Sequence, residues 1–144
     1  MDVKSTIRDL LSTQRLAVLA THDQVQPYTS LVTFAATEDL GCLLFPTQRA
    51  TRKFANMTAE PCIALLVDDR TNQASDLAEA CALTALGTAS EATGLERSAL
   101  VELYLARNPQ LRDFVLAPDC ALIRVQVKSY LLVTRFQNVV ELIP

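Results

Sequence analysis

A chain of 144 residues, half of them apolar and a fifth charged, with a formal net charge of -3, has room for one sizeable core and lacks the basic excess that polyanions select, which excludes nucleic acid as a general partner. Four cysteines with no CxxC pair and a single histidine exclude a structural metal site and point to buried thiols in a reducing compartment. No stretch is apolar for long enough to span a bilayer and the first residues form no apolar leader, so the expectation is a cytoplasmic protein without membrane contact.

No repeat, low-complexity tract or Pro/Gly/Ser linker divides the sequence, which predicts one domain over residues 1–144. Residues 4–13 place Ile7, Leu10 and Leu11 on one face, with Asp2 or Ser5 to cap them, and predict a short amphipathic helix across the end of a sheet. The period then changes. Short apolar runs at 15–21, 27–36, 42–46, 62–69 and 80–91 are separated by polar clusters and predict five strands, the first three as an antiparallel meander. Residues 95–106 predict a helix through Leu95, Leu100, Leu103 and Tyr104. The tail from Ala121 to Ile143 predicts two or three further strands, with Ile123, Val125 and Val127 alternating against Arg124, Gln126 and Lys128. Six or more mostly antiparallel strands with few helices make an α+β fold, mainly β, whose sheet closes into a small barrel. Runs that barely alternate suit strands covered on both faces, one cover being a second subunit.

Few catalytic arrangements are available. The three glycines, Gly41, Gly87 and Gly94, are isolated from one another, so there is neither a GxGxxG turn nor a Walker loop. His22 falls in a polar turn and reads as solvated. Asp68 and Asp69 are neighbours at a strand end, where adjacent side chains point to opposite faces, so they make a poor acid/base pair.

The stretch "FPTQRATRKFANM", Phe45 to Met57, passes from strand to helix and carries Arg49, Arg52 and Lys53 in the first helical turns. Cations are disfavoured at a helix N-terminus, whose partial charge is positive. Thr47 is placed to cap a helix beginning at Gln48 or Arg49, leaving backbone N–H donors free at its end. An anion there, a phosphate in particular, gives Arg52, Lys53 and the hydroxyls of Thr47 and Thr51 a partner. The competing reading is a solvated helix whose cations pair with Glu60 or nearby aspartates.

The QPY strand, the hairpin after it, the strand ending in Pro46 and Thr47, and the triplet Thr51-Arg52-Lys53 resemble the pyridoxamine 5'-phosphate oxidase-like FMN-binding family. The resemblance extends through "CIALLVDD", "ALGTASEA" and "YLLVTRFQNVVEL", and its shorter members are general stress or FMN-binding proteins. It implies a six- to eight-stranded antiparallel split β-barrel with flanking short helices, assembled as a homodimer with flavin sites at the interface. Ser30, Leu31, Val32 and Thr33 would meet the flavin ring, Pro46 and Thr47 the ribityl and phosphate region, and Thr51, Arg52 and Lys53 the 5'-phosphate of FMN. Where the vitamin B6 oxidases carry arginine and lysine on the flavin strand, this chain has Ser30 and Ala35, so pyridoxamine phosphate is not the expected substrate. The implied function is a flavoprotein oxidoreductase using a nicotinamide or other small-molecule reductant, with no catalytic residue assigned; the alternative is a non-enzymatic flavin carrier or sensor. For Asn72, Gln73, Ser75 and Asp76 two readings stand, a solvated loop, which is favoured, and hydrogen bonds to the pyrimidine end of the ring. Arg135 and Phe136 would close the site from the other subunit, against core packing for Phe136.

Overall fold

The computed structural model describes residues 2–135 and 138–144. Helix α1, Val3–Thr13, starts where the Asp2 side chain accepts the Lys4 N–H at 3.2 Å, one of the orphan donors of a first helical turn. Its buried residues Ile7, Leu10 and Leu11 join the main core, so the predicted amphipathic face plugs one end of the sheet. Strands β1, Leu16–His22, and β2, Pro27–Thr33, pair antiparallel from Leu16 opposite Thr33 to His22 opposite Pro27.

The predicted strand over 27–36 is broken at Phe34. That residue has no exposed surface, and its carbonyl accepts from Asn108 Nδ2 at 3.3 Å in place of a ladder bond. Only Ala35–Ala36 resumes, as β3 against β4, Cys42–Gln48. The third strand of the predicted meander therefore meets the second only through this two-residue antiparallel pairing, and the full length of β4 lies along β7, Cys120–Thr134.

After β4 come α2, Arg52–Ala59; β5, Cys62–Asp68; the short α3, Asp76–Glu79; and β6, Ala82–Glu91. Helix α4, Gly94–Arg107, is followed by a turn of 3-10 helix at Pro109–Leu111 and by α5, Arg112–Leu116. Strand β7 then runs to β8, Asn138–Leu142. The sheet order is β2-β1-β5-β6-β7-β4-β3, with β8 on β7, and every pairing among the described residues is antiparallel. Its two ends, β2 and β3, are consecutive in the chain. The sheet therefore curls back on itself without a ladder joining β2 to β4, which makes a split barrel.

Alternation fills the interior as period-two geometry requires. Ala17, Leu19 and Thr21 of β1, and Ile63, Leu65 and Val67 of β5, point inward and are buried. In β7 the predicted Ile123, Val125 and Val127 are buried against Gln126 and Lys128 outside. A bulge facing Leu86 and Gly87 then shifts the phase, so that Tyr130 and Leu132 are inside. Gly87 allows that close approach: a Cβ there would stand 2.4 Å from Gln126 O. A second core forms under α4 from Ala35, Leu44, Val101, Tyr104, Leu105, Val115 and Leu122.

The outward face of β2, β1, β5 and β6 is apolar as well, with Leu16 51%, Leu31 66% and Leu86 38% exposed. The cysteines depart from expectation: only Cys120 is buried, Cys42 and Cys81 are partly so, and Cys62 opens β5 on its exposed phase. His22 is the last residue of β1 and not a turn residue, with its Nδ1 accepting from Gln24 N at 3.2 Å. No helix among the described residues is long and apolar enough to cross a membrane.

Candidate functional site

The helix after β4 starts later than the sequence predicts. Thr47 is a buried residue of β4, and Thr51 is the N-cap: it is extended, and its Oγ1 accepts from Phe54 N at 3.3 Å while donating to Gln48 O at 2.8 Å. The ladder to β7 carries β4 as far as Gln48 opposite Cys120. A helix could begin only after that pairing ended. Thr47 still belongs to the N-terminal cluster, because its Oγ1 lies 3.1 Å from that of Thr51.

Moving the start to Arg52 separates the three cations. Arg49 lies outside the helix, paired with Glu91 and donating from Nη1 to Pro118 O at 2.9 Å. The Glu91 hydrogen bond is the main reason its pKa is held above the ordinary guanidinium value. Arg52 and Lys53 are the first two helical residues, and among the described residues neither has a carboxylate within ion-pair distance. Glu60, a partner the solvated-helix reading offers them, accepts from Gln24 instead. Arg52 is exposed, its guanidinium 4.7 Å from the centroid of the Tyr28 ring, a cation–π distance.

Between the free edge of β2 and the β4–α2 connection lies a cleft of about 350 Å³. It is lined by Leu31, Val32, Thr33, Pro46, Thr47, Thr51 and Lys53, together with Leu16, Gln48, Leu111 and Phe114. Seven of the nine predicted cofactor residues thus meet in one place. The other two, Ser30 and Arg52, do not line it. Ser30 precedes the cleft on β2, and its Oγ is shielded from solvent with no hydrogen-bond partner among the described residues. Val32 is buried; Thr33 is half-buried, with its Oγ1 2.6 Å from the Tyr104 hydroxyl.

The cleft has two characters. One part offers the Lys53 ammonium and the α2 backbone N–H groups ahead of the capped Phe54, donors suited to a dianion, beside the Thr47 and Thr51 hydroxyls, which donate to Gln48 O. The rest is apolar, with Leu16, Leu31, Val32, Pro46, Leu111 and Phe114. A flat apolar ring carrying a phosphate tail fits this donor set. Leu111 and Phe114 were not legible as site residues. They lie beyond the predicted helix over 95–106, and only the Asn108-Pro109 break marks a change of direction there.

The other predicted groups are engaged elsewhere. Asp68 pairs with Arg70 at 2.9 Å and Asp69 accepts from Cys81 N at 2.7 Å, so the two carboxylates are structural and point apart. Asp76 accepts from Thr71 N, Thr71 Oγ1 and Asn72 N within its own loop, and the Thr71 backbone N–H is the largest cause of its lowered pKa. Arg135 is exposed at the end of β7 in a left-handed conformation, φ 47°. Phe136 lies outside the described residues.

The model of the family described as "Pyridoxamine 5'-phosphate oxidase" matches residues 3–133. No curated protein matches the chain. Among solved structures, the heme binding protein from Mycobacterium smegmatis superposes with a TM-score of 0.83 at 17% identity over 94% of this chain, which spans 55% of that protein's length. General Stress Protein 26 from Bacillus anthracis gives 0.76 at 18% identity with both chains wholly covered. A FAD-binding protein from Mesorhizobium loti gives 0.73 at 16% identity over 90% of each chain. At these identities the structural likenesses speak for the fold alone, and it is the match over nearly all of the sequence, on a split barrel, by which the chain belongs to the pyridoxamine 5'-phosphate oxidase family.

Proposed function

We propose that this chain binds FMN in the cleft between β2 and the β4–α2 connection and acts as a flavin-dependent oxidoreductase. The observation that carries the reading is that Lys53, without an acidic partner among the described residues, and the open first turn of α2 share one cleft with an apolar strand edge. Lys53, Thr51, Thr47 and the α2 backbone would hold the phosphate, with Arg52 beside them on Tyr28; Leu31, Val32, Thr33 and Pro46 would flank the ring, with Ser30 at its margin. When bound, the flavin supplies the hydride or electron transfer. The neighbour described as heme-binding does not move this reading, since the lone His22 is outside the cleft.

Pyridoxamine phosphate is disfavoured as the substrate. Ala35, where the vitamin B6 oxidases carry a phosphate-binding lysine, is 1% exposed and packed in the second core. A dimer is part of the proposal. A cleft of about 350 Å³ is near the lower end for ligand pockets, and Leu16 and Leu31 belong both to its wall and to the open apolar face. A second copy covering that face would also wall the cleft.

Titration of dialysed protein with FMN tests the reading. One flavin per chain with a shifted visible spectrum, and weaker binding of riboflavin, is expected; no binding of either would overturn it. The carrier or sensor alternative has its own support, since no carboxylate, imidazole or thiol among the described residues lines the cleft. Reduction of the loaded protein by NADH, NADPH or a reduced deazaflavin favours the enzyme, and failure of all three favours the carrier.

A further inference from the structure

Thr33 and Tyr104 bring the buried face of α4 into contact with the cleft. Their hydroxyl oxygens are 2.6 Å apart, a short neutral hydrogen bond. Thr33 is half-buried and lines the cleft, whereas Tyr104 has no exposed surface. Among the described residues, Thr33 Oγ1 is the only partner of the Tyr104 hydroxyl. A buried O–H left without an acceptor costs the desolvation of the group, so the phenol donates and Thr33 accepts. Burial also raises the pKa of Tyr104, with the Thr33 hydrogen bond opposing it, so the phenol keeps its proton at neutral pH.

A hydroxyl has one proton and two lone pairs. With a lone pair of Thr33 Oγ1 occupied by Tyr104, its own proton is free for a second acceptor, and the cleft is where that acceptor would stand. The arrangement is anchored on its other side. Asn108 Nδ2 donates to Phe34 O at 3.3 Å, and the Arg107 guanidinium sits 5.5 Å from the Phe34 ring centroid. The last turn of α4 thus holds the residue that follows Thr33.

We propose that Tyr104 is a positioning residue for the cleft: its phenol donates to Thr33 Oγ1 and so commits the Thr33 hydroxyl to donating to an acceptor atom of the bound ligand. The identity of that ligand rests on the flavin reading above. Thr33 belongs to the β2 wall of the cleft with Leu31 and Val32, against which the ring is placed, and Lys53 and Thr51 belong to the facing β4–α2 wall. The acceptor in this proposal is accordingly a carbonyl oxygen or nitrogen of the ring, not the phosphate.

The test titrates the full chain with FMN and, separately, riboflavin. Thr33→Val and Tyr104→Phe should each weaken both ligands by the same factor, about five- to tenfold, the size of one neutral hydrogen bond. Thr33→Ser should keep the affinity, and the double variant should bind no more weakly than Thr33→Val alone. Additive losses, or a loss in Tyr104→Phe with none in Thr33→Val, would show that Tyr104 acts only through folding and overturn the proposal. Proton NMR of the ligand-free protein gives a second readout. A slowly exchanging Tyr104 hydroxyl proton with a cross-peak to the Thr33 methyl is expected; free exchange or no cross-peak overturns the assignment. If the wild-type chain binds neither ligand, the flavin reading fails, and the NMR measurement alone decides the direction of the Thr33–Tyr104 bond.

Discussion

Arg49 and Glu91 form an ion pair that joins the β4–α2 connection to the end of β6, and Arg49 also holds the Pro118 carbonyl. Of the three cations in "FPTQRATRKFANM", this one has a structural partner. Lys53 faces the cleft without one, and Arg52 rests on Tyr28. The three should separate in binding. Lys53→Ala is expected to weaken FMN by about 10- to 100-fold, the range of a hydrogen bond to a charged group. Arg52→Ala should cost less, and Arg49→Ala should leave affinity near wild type. Fluorescence titration of the three variants checks the order; an Arg49→Ala loss equal to that of Lys53→Ala would reject it.

Thr51 combines two roles, as cap of α2 and as a hydroxyl of the cleft. Replacing it by alanine removes the acceptor of the Phe54 N–H, a loss of about 1 kcal/mol for an N-cap. Thr51→Ala should therefore lower both denaturation midpoint and flavin affinity, and Thr51→Ser should restore both. A Thr47→Ala variant should leave helix α2 intact, since the cap is not there. Circular dichroism with urea melts distinguishes the two sites.

The position of that cap shows how far the sequence could be read. Alternation was legible in the first half of β7, where one face is in the core and period two leaves little freedom; β1 and β5 were legible only as apolar runs of strand length, because their outward faces are largely apolar too. The cap was not legible. Thr47 and Thr51 both have the right chemistry, and the choice between them depends on how far the β4–β7 ladder runs, a pairing between residues far apart in sequence. The same applies to β4 itself, which a local reading pairs with the whole 27–36 run and which keeps only Ala35–Ala36 of it. Phe34, sequestered under α4, interrupts that pairing. The charged half of the cleft was recoverable from one segment, whereas Leu111 and Phe114 reach it only through the packing of α4 and α5.

Gly87 is a place where the barrel tolerates no side chain. A Cβ there meets the backbone oxygen of Gln126 at 2.4 Å and Val125 Cγ1 at 2.8 Å, and the backbone oxygen cannot move without opening the β6–β7 ladder. Gly87→Ala is expected to destabilise by about 2–3 kcal/mol, as overpacking does, which is roughly 10 °C in Tm for a chain of this size. Differential scanning calorimetry measures it. An unchanged Tm would mean that the bulge opposite Gly87 relaxes freely.

Asp76 organises the loop between β5 and β6. Its carboxylate accepts from Thr71 and Asn72, and these bonds lower its pKa below the model-compound value of 3.8. A depressed folded-state pKa gives stability that is present above the unfolded value and lost as pH falls through the folded one. The loop should therefore stay ordered down to about pH 4 and loosen below it. Hydrogen exchange at the Thr71 and Asn72 amides should accelerate relative to β5 in that window. Asp76→Asn should show the acid behaviour already at neutral pH.

The outward apolar face yields the last prediction. Leu31 of β2 is 66% exposed and Leu16 of β1 is 51% exposed, and both also line the cleft. An unpartnered cluster of large aliphatics on strands whose other face is the core is costly to leave in water, at about 25 cal/mol per Å² of apolar area. A second copy laid on this face would bury it and close the cleft in one step. Leu31→Glu puts a charge on that surface without touching the interior. It should convert a dimer to a monomer in sedimentation or light scattering and reduce flavin affinity, while its circular dichroism stays that of the parent. The two losses should arise together, since they share the side chain. A monomeric wild type that binds flavin at full affinity would show that one copy suffices to build the site.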